Sequence, residues 1–285
     1  MMQRVRDFFR HRKYIEVDTP IRLPVLIPEA EIIPLASEAW FLQTSPELCM
    51  KRLLAQGCSQ IFQICPCFRK GERGRLHQEE FTMLEWYHAG WSYLELMKEC
   101  ELMIQQVAEK DSICRSGKAI SLMTPWQRLT VDDAFRRYAG TSAEEAVRTG
   151  EFDLLLVEKV EPELGWESPV FLYDYPIALA SLARPKPGCP ELAERFELYI
   201  GGIELANGFS ELIDPVAQRH RFNEEISKVA IDSCDNTGKV PEKFLAALEK
   251  MPDCAGIALG LDRLFMLLLE RECLAEVLAF SETDL

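Results

Sequence analysis

The chain has 285 residues, of which 48% are hydrophobic and 27% are charged, so it holds enough apolar material for one large core. Its 32 basic and 46 acidic residues give a formal charge of -14, which argues against a protein that coats nucleic acid through bulk charge. No uninterrupted apolar run reaches about 18 residues, and the charged start, MMQRVRDFFRHRKYIEVDTP, lacks the apolar centre of a signal peptide. We therefore expect no membrane span and a cytoplasmic location.

The ten cysteines are expected to be reduced thiols, because the chain shows no secretory signal. Cys65 and Cys67 form a close pair, and Cys49 and Cys58 lie upstream. Their spacing is not that of a zinc ribbon, and no second close pair with a matching histidine follows. Buried thiols are the main interpretation, and a metal site is the alternative.

The first part of the chain predicts helices and short strands in alternation. Apolar residues at helical spacing indicate a helix over residues 2–13, and the segment YIEVDTPIRLP then indicates a short strand that ends at proline. The segment SPELCMKRLLAQG predicts a helix that begins after Ser45 and stops at Gly57. The segments QIFQICPCF and EFTMLEWY are both strand-like, and a basic loop joins them.

The second part predicts more helices, one hairpin and a final strand. Helices are expected over residues 92–109, 130–138 and 142–149. RFELYIGGIELANGF is a predicted hairpin, and GIALGLDRLFMLLLERE a strand that runs into a helix. No Gly- or Ser-rich linker divides the chain. The sequence therefore predicts one α+β domain over residues 1–285, with an antiparallel sheet flanked by helices.

The loop segment FRKGERGRLHQEEFTMLEWYHAG, residues 68–90, is the most basic short stretch of this acidic chain. Arg69 lies where the preceding strand enters the loop, and a guanidinium can hold two phosphate oxygens at once. On the following strand, alternation places Phe81 and Glu85 on one face, and a phenylalanine ring can stack on a base. The segment therefore suits a nucleoside phosphate. The alternative is an exposed basic hairpin tip that keeps a strand edge soluble.

The predicted hairpin places two carboxylates near each other. A two-residue turn at Gly201-Gly202 pairs Tyr199 with Glu204, so Glu197 lies diagonal to Glu204 on the same face. Two carboxylates so close repel unless a cation lies between them, and Mg²⁺ with a bound polyphosphate fits that place. Solvated glutamates on an edge hairpin are the alternative.

Simple alternation places Asn207 and Glu211 on the opposite face of that hairpin. A β-bulge at Gly208 would return them to the carboxylate face. In the final segment Asp262 is a candidate N-cap, with Arg263 in the first helical turn. An arginine is unfavourable beside a helix N-terminus unless it binds an anion there, although a surface arginine is the alternative.

These segments, in this order, resemble the signature motifs of class II aminoacyl-tRNA synthetases. Asp18-Thr19-Pro20 is similar to motif 1 of the dimer interface, the Phe68-Arg69 loop with Glu80-Phe81 to motif 2, and Gly260-Leu261-Asp262-Arg263 to motif 3. TSPELCMKRLL, EFTMLEWY and GIELANGFSEL are most similar to lysyl-tRNA synthetases. FRKGERGRLH, MLEWY and MPDCAGIALGLDR further resemble their stand-alone paralogues, which ligate (R)-β-lysine to elongation factor P.

The resemblance implies a role for each matching residue. Arg69 and Arg263 are implied to be catalytic, holding the α- and γ-phosphates of ATP. The implied ATP site comprises Arg69, Lys70, Gly71, Glu72, His77, Gln78, Phe81, Glu204, Leu205, Gly260 and Arg263. The implied amino-acid site comprises Ser45, Pro46, Glu47, Glu85, Tyr87, Asn207, Glu211 and Ala258. Glu197 and Glu204 are implied to bind Mg²⁺.

Within the amino-acid site, Glu211 and Tyr87 are expected to bind the distal ammonium of lysine or β-lysine, and Glu47 and Glu85 the other amine. Ala258 stands where lysyl-tRNA synthetases usually have glycine, and the paralogues share this change. Gly71 replaces a glutamate of those synthetases, and Gln78-Glu79 replaces Asn-Pro, so the adenine contacts should differ.

The resemblance implies a homodimer without an anticodon-binding domain, with elongation factor P as acceptor and tRNA an unlikely partner. A truncated synthetase that charges tRNA or another small acceptor is one alternative. The other is a non-catalytic paralogue that binds an amino acid and regulates a partner.

Overall fold

The computed structural model describes residues 1–228 and 238–281, and the helices in those ranges lie mostly where apolar periodicity predicts them. They are α1 (Met2–His11), α2 (Glu47–Leu54), α3 (Tyr93–Ala108), α4 (Val131–Ala134), α5 (Ala143–Thr149), α6 (Phe152–Leu155), α7 (Pro215–Lys228), α8 (Glu242–Leu248) and α9 (Leu261–Leu268). One π-helical segment, Phe135–Ala139, continues α4, and another, Leu156–Val160, continues α6. Short 3-10 turns cover Glu161–Glu163, Ile177–Leu179 and Leu274–Glu276.

The strands form one large sheet and two small ones. They are β1 (Ile15–Glu16), β2 (Arg22–Leu23), β3 (Ala36–Ser37), β4 (Trp40–Leu42), β5 (Gln60–Phe68), β6 (Glu80–Ala89), β7 (Ser112–Arg115), β8 (Lys118–Ser121), β9 (Gln127–Thr130), β10 (Val170–Pro176), β11 (Pro185–Lys186), β12 (Cys189–Ile200), β13 (Ile203–Ser210) and β14 (Cys254–Gly260). The large sheet has the order β1-β5-β6-β14-β13-β12-β10-β9, with β11 paired to β12. Its central strands, from β5 to β10, are antiparallel, and the pairs β1–β5 and β9–β10 are parallel. This confirms the predicted α+β class.

Strand alternation divides the large sheet into a core face and a second face. On β6, Leu84 and Trp86 are fully buried in the main core, where α1, α3 and α9 pack, while Glu85 and Tyr87 point the other way. Smaller clusters cover the two ends of the second face, one built on α2, α7 and α8 and the other on the helices from α4 to α6. The middle of that face is therefore left for polar side chains.

Several predicted boundaries are confirmed and others are wrong. The 2–13 helix ends at His11, and the 92–109 helix begins after Ser92, whose side chain and Glu95 form a capping box. YIEVDTPIRLP forms two short strands in different sheets, not one. The hairpin β7–β8 and the helices α6, α7 and α8 were not predicted.

The predicted N-cap of the last helix is also wrong. Helix α9 begins at Leu261 with Gly260 as its N-cap, and Asp262 lies inside the first turn. The Asp262 carboxylate instead accepts a hydrogen bond from the backbone N–H of Thr82 at 2.7 Å. The Asp262 side chain, which the local pattern assigns to the helix cap, therefore forms a tertiary hydrogen bond to β6 instead. Arg263 lies in the first turn as predicted.

No helix among the described residues is both long enough and apolar enough to span a membrane.

The aromatic packing under α1 should dominate the stability of this end of the sheet. Phe9 is fully buried and contacts the rings of Phe62 and Trp86, with centroid distances of 4.8 and 5.2 Å. We expect Phe9→Ala to lower the free energy of unfolding by about 3–5 kcal/mol. In the matched control Phe280→Ala, the lost side chain is 71% exposed, and the change should stay within about 0.5 kcal/mol. Urea unfolding of both variants measures the difference, and equal effects would contradict this packing account.

Candidate active site

Five neighbouring strands place one side chain each in a row across the second face of the large sheet. The register pairs Gln63 with Glu85, Glu85 with Ala258, Ala258 with Asn207, and Asn207 with Glu197. Directly paired residues of antiparallel strands point to the same face, with Cβ atoms about 5 Å apart. Polar groups on β5, β6, β13 and β12 therefore meet on both sides of the Ala258 methyl. We call this set of five residues the polar row.

A β-bulge in β13 decides that Asn207 joins the polar row. Tyr199 pairs with Glu204 as the Gly-Gly turn predicts, but the residue before Tyr199 pairs with Ala206, so Leu205 is extra. Leu205 and Ala206 both turn into the main core. Glu204 and Asn207 therefore point to the same face, although three positions separate them.

The predicted position of this bulge, Gly208, is wrong. Gly208 pairs regularly with Phe196, and a Cβ at this glycine would lie 2.6 Å from that ring. The bulge at Leu205, three residues earlier, has the same effect as the predicted one. It brings Asn207 to the carboxylate face, and Glu211, four residues later, points to that face as well.

A cavity of about 310 Å³ opens on this face beside the polar row. The residues implied to bind ATP line it, except Lys70 and Gly71; those present are Arg69, Glu72, His77, Gln78, Phe81, Glu204, Leu205, Gly260 and Arg263. Asn207 and Ala258 also line it, so the cavity reaches the polar row. The cavity therefore brings most of the residues implied to bind ATP together with two of those implied to bind the amino acid.

The loop between β5 and β6 holds Arg69 at the mouth of this cavity. The Arg69 guanidinium lies 5.1 Å from the centre of the Phe81 ring and 3.6 Å from the Glu72 carboxylate. Glu79 orders the loop, since its carboxylate accepts hydrogen bonds from the Gly71 N–H at 2.6 Å and from Arg73 at 2.8 Å. The glutamate that replaces proline in the Gln78-Glu79 pair therefore stabilises the loop.

Arg263 fixes the opposite wall of the cavity. Its guanidinium donates to the carbonyl oxygens of Leu76 at 3.1 Å and Glu204 at 2.8 Å, and to Nε2 of His77 at 2.6 Å. Because arginine has no acceptor, His77 must accept at Nε2 and is neutral in this contact. Burial lowers the pKa of His77, and the Arg263 charge lowers it further. Two arginines thus face a cavity whose histidine adds no positive charge.

The two carboxylates implied to bind a metal differ in their partners. Glu197 accepts hydrogen bonds from the hydroxyls of Tyr175 and Tyr199, each at 2.6 Å, and from Arg195 at 2.7 Å. The Glu204 carboxylate makes no hydrogen bond or ion pair within the described part of the chain. Burial and the nearby Glu197 raise the pKa of Glu204 to about 7.

Glu204 could give a carboxylate oxygen to a divalent cation at this corner, where the described residues form no group of three metal-ligating side chains. Glu161 adds a third carboxylate, bonded to the Tyr199 hydroxyl at 3.1 Å, and it also raises the pKa of Glu204. Three acidic groups face the buried Arg195 and the nearby Arg263, so the oxygens of Glu204 lie in an environment that favours added positive charge. Magnesium takes one or two carboxylates together with phosphate oxygens, and Glu204 can supply the first.

A buried lysine joins the carboxylates implied to bind the amines. Lys51 on α2 is 1% exposed and forms ion pairs with Glu47, four residues earlier, and with Glu211 at 2.5 Å. Burial lowers the pKa of Lys51, but Glu211 and Glu47 outweigh it and hold the pKa above its ordinary value. Glu211 is itself fully buried, and burial raises its pKa to about 8.

Glu85 lies beside this ion-pair cluster and is held by two hydroxyls. Ser45 donates to one Glu85 oxygen at 2.7 Å, and Tyr87 donates to the other at 2.5 Å. The same Ser45 oxygen accepts a hydrogen bond from the backbone N–H of Glu47 at the start of α2. One serine therefore positions both Glu85 and Glu47, and Pro46 lies between Ser45 and Glu47 in the chain. Burial and the charge of Glu47 raise the pKa of Glu85 to about 8.

The absence of a side chain at Gly256 makes room for Tyr87. A Cβ at Gly256 would lie 2.2 Å from the Tyr87 ring and 2.8 Å from the Glu211 carboxylate, so a side chain there would displace the ring. Tyr87 therefore packs directly against β14 at Gly256, where it borders the carboxylate of Glu211. Burial and Glu85 raise the pKa of Tyr87 well above its ordinary value, so its hydroxyl remains a donor.

Sequence reasoning missed four residues of this site. Lys51 stands four residues after Glu47, a spacing that is common on exposed helix surfaces, so it gave no signal of burial. Arg195 shares a strand face with Glu197 and could have been found from that alternation. Glu161 and Gln63 reach the site only through tertiary packing and strand register.

Comparisons with known proteins show the family of this chain. The family described as tRNA synthetases class II (D, K and N) matches residues 1–284. A protein of Edwardsiella ictaluri named elongation factor P–(R)-β-lysine ligase is 39% identical, over 99% of this chain and 92% of that protein. Proteins of the same name from Klebsiella pneumoniae and Salmonella arizonae are each 38% identical over the same shares.

The raised pKa of Glu85 makes a prediction for stability. A carboxyl group whose pKa rises on folding, here from 4.5 to about 8, binds protons more tightly in the folded state, so the free energy of unfolding falls as pH rises between those values. Glu85→Gln removes this carboxyl group. The free energy of unfolding of the variant should therefore fall less than that of the wild type between about pH 5 and pH 8.

The matched control is Glu80→Gln, which removes an exposed carboxylate from the same strand and should keep the wild-type dependence. Urea unfolding of the three proteins across this pH range measures the slopes. A slope for Glu85→Gln as steep as that of the wild type would contradict the environment assigned to Glu85.

Proposed function

Because this chain belongs to the class II tRNA synthetase family of the D, K and N type, we propose that it is an ATP-dependent ligase that activates (R)-β-lysine and transfers it to a lysine side chain of elongation factor P. One observation carries the proposal. A cavity faced by Arg69 and Arg263 reaches Asn207 and Ala258, and the strand register places Ala258 beside Glu85 in a cluster of buried carboxylates. The cavity suits a polyphosphate, and the carboxylate cluster suits a diamine.

The charges of the amino-acid pocket suit a substrate with two ammonium groups. Glu47, Glu85 and Glu211 carry three negative charges when ionised, and Lys51 compensates one of them. Two ammonium groups would neutralise the remaining two. Since a buried carboxylate without a counter-charge is costly, the pocket favours a diamino acid over a neutral side chain.

Within the pocket we assign the distal ammonium to Glu211 and Tyr87. Oε1 of Glu211 has no hydrogen-bond partner among the described residues, and the other oxygen of Glu211 lies 2.5 Å from Lys51. The nearer amine would then meet Glu47 and Glu85, on the side of the pocket nearer to the cavity.

The first step joins the amino-acid carboxylate to the α-phosphorus of ATP. A carboxylate oxygen attacks phosphorus, the bond to the bridging oxygen breaks, and pyrophosphate leaves with that electron pair. No proton needs to move, so positioning and charge neutralisation are what the site supplies. Arg69 would hold the α-phosphate and Arg263 the γ-phosphate, with adenine on Phe81.

Magnesium, when bound beside Glu204, would neutralise negative charge that develops on the leaving pyrophosphate. The Glu204 carboxylate has no hydrogen-bond partner among the described residues and could hold it, whereas the Glu197 carboxylate already accepts three hydrogen bonds. In the second step the acceptor lysine amine attacks the adenylate carbonyl carbon, AMP leaves with the electron pair of the broken bond, and the nitrogen releases one proton to solvent to give the amide.

Arg263 is the most direct test of the nucleotide assignment. We expect Arg263→Ala to lower lysine-dependent exchange of pyrophosphate into ATP by about 10²–10³-fold, because it removes a charge-assisted phosphate contact. Arg271→Ala, which removes an exposed arginine just after the same helix, should keep the wild-type rate. Exchange near the wild-type rate in Arg263→Ala would contradict the assignment, provided that circular dichroism shows a folded protein.

Ala258 should tune the choice between lysine isomers. Its methyl lies in the centre of the polar row between Glu85 and Asn207, where it limits the space beside the substrate carbon chain. We expect Ala258→Gly to move the ratio of kcat/KM values from β-lysine toward α-lysine, by an amount that corresponds to about 1–3 kcal/mol. Pyrophosphate exchange with each isomer gives the ratio; if it is unchanged, Ala258 serves only to pack the strand.

We further propose that the chain acts as one catalytic domain and forms a homodimer, as its motif 1 segment implies. Sedimentation at micromolar concentration should give twice the mass of the chain, which is 32.6 kDa. A purely monomeric boundary would contradict the dimer and leave the ligase proposal standing.

A further inference from the structure

Gln63 is a buried amide without a protein partner. Its side chain is 1% exposed, and neither Oε1 nor Nε2 forms a hydrogen bond with any residue in the ranges 1–228 and 238–281. An unsatisfied buried polar group lowers the stability of a protein by about 1–3 kcal/mol, so an apolar side chain would be more stable here if the position served only for packing. A ligand that the amide could contact would satisfy these polar atoms.

The register places this amide in the amino-acid pocket. Gln63 is the cross-strand partner of Glu85, which brings the two side chains to the same face with Cβ atoms about 5 Å apart. Gln63 lies in the polar row with Ala258. Along the strands, this row lies one step nearer to the cavity than Tyr87, which borders Glu211. This is the level at which the proposed function puts the amine nearest to the substrate carboxylate.

The carboxylates at this level already bind other groups. An ammonium group has three N–H donors and needs three acceptors when it is buried. Each Glu85 oxygen already accepts one hydroxyl, and Glu47 is shared with Lys51. The ammonium would therefore share both carboxylates with these groups. The Oε1 of Gln63 is the unused acceptor beside them.

A neutral acceptor also fits the charge of the pocket. A fourth carboxylate beside Glu47, Glu85 and Glu211 would leave an excess negative charge that two ammonium groups could not balance. An amide oxygen accepts a hydrogen bond and adds no charge. A glutamine can therefore accept a hydrogen bond from an ammonium group without adding a negative charge to the buried carboxylates.

We propose that the amide oxygen of Gln63 binds the proximal ammonium of the substrate and is a specificity-determining group for it. The inference rests on the proposed function, because it assumes that a diamino acid occupies this pocket. It concerns the amine closest to the carboxylate and leaves the distal amine to Glu211.

The test compares two ligands that differ in that amine. (R)-β-Lysine carries both amines, whereas 6-aminohexanoate carries only the distal one. We expect Gln63→Met, which keeps the length of the side chain and removes the acceptor, to raise KM for β-lysine in pyrophosphate exchange by about tenfold or more. The inhibition constant of 6-aminohexanoate and KM for ATP should change by less than about twofold.

Two further variants separate this role from a structural one. Gln218→Met removes an equally buried glutamine, whose Oε1 is likewise unpartnered within the described residues, from another cavity, and it should leave all three constants unchanged. If Gln63→Met melts below the assay temperature, Gln63→Asn, which withdraws the amide by one methylene, is compared in the same way.

The outcomes distinguish this inference from the proposed function. Equal weakening of β-lysine and 6-aminohexanoate, or no weakening of either, would overturn the role of Gln63 while exchange by the wild type upholds the ligase. A wild type that exchanges pyrophosphate with no lysine isomer would overturn both.

Discussion

The bulge at Leu205 is the constraint on which the rest of the site depends. A strand exposes every second side chain to one face, so a regular β13 would place Glu204 and Asn207 on opposite faces. Because Leu205 and Ala206 both enter the core, Glu204 faces the cavity lined by Arg69 and Arg263 while Asn207 joins the polar row. The apolar core therefore sets the position of the polar site: two neighbouring residues are buried on one side so that carboxylate and amide meet on the other.

The electrostatics of the site follow from burying more acid than base. Burial raises the pKa of Glu85 and Glu211 to about 8, and the cations beside them only partly compensate. At the other end, Glu204 keeps a pKa raised to about 7 although Arg195 and Arg263 lie near it. Both ends thus favour added positive charge, from ammonium groups at one and a divalent cation at the other. Between these ends, Arg69 and Arg263 face the cavity and favour a bound anion.

Sequence reasoning reached the features that depend on local chemistry. The Gly201-Gly202 turn predicts the pairing of Tyr199 with Glu204, and alternation predicts that Glu85 and Tyr87 share a face; both are confirmed. It did not locate the bulge, because the extra residue is chosen by how the core is filled. It assigned Asp262 to a helix cap, because the competing bond from the Thr82 backbone joins residues distant in sequence. Burial of Lys51 and the row position of Gln63 likewise depend on register and packing that no local pattern contains.

The central claim is that this geometry activates β-lysine and passes it to a protein amine. Intact-mass spectrometry of elongation factor P tests it most directly, after incubation with the chain, ATP, Mg²⁺ and either (R)-β-lysine or α-lysine. The account predicts one added β-lysyl group on elongation factor P, a smaller yield with α-lysine, and no addition when ATP is left out. An unmodified elongation factor P in the presence of every component, with a lysine tRNA charged in its place, would contradict it.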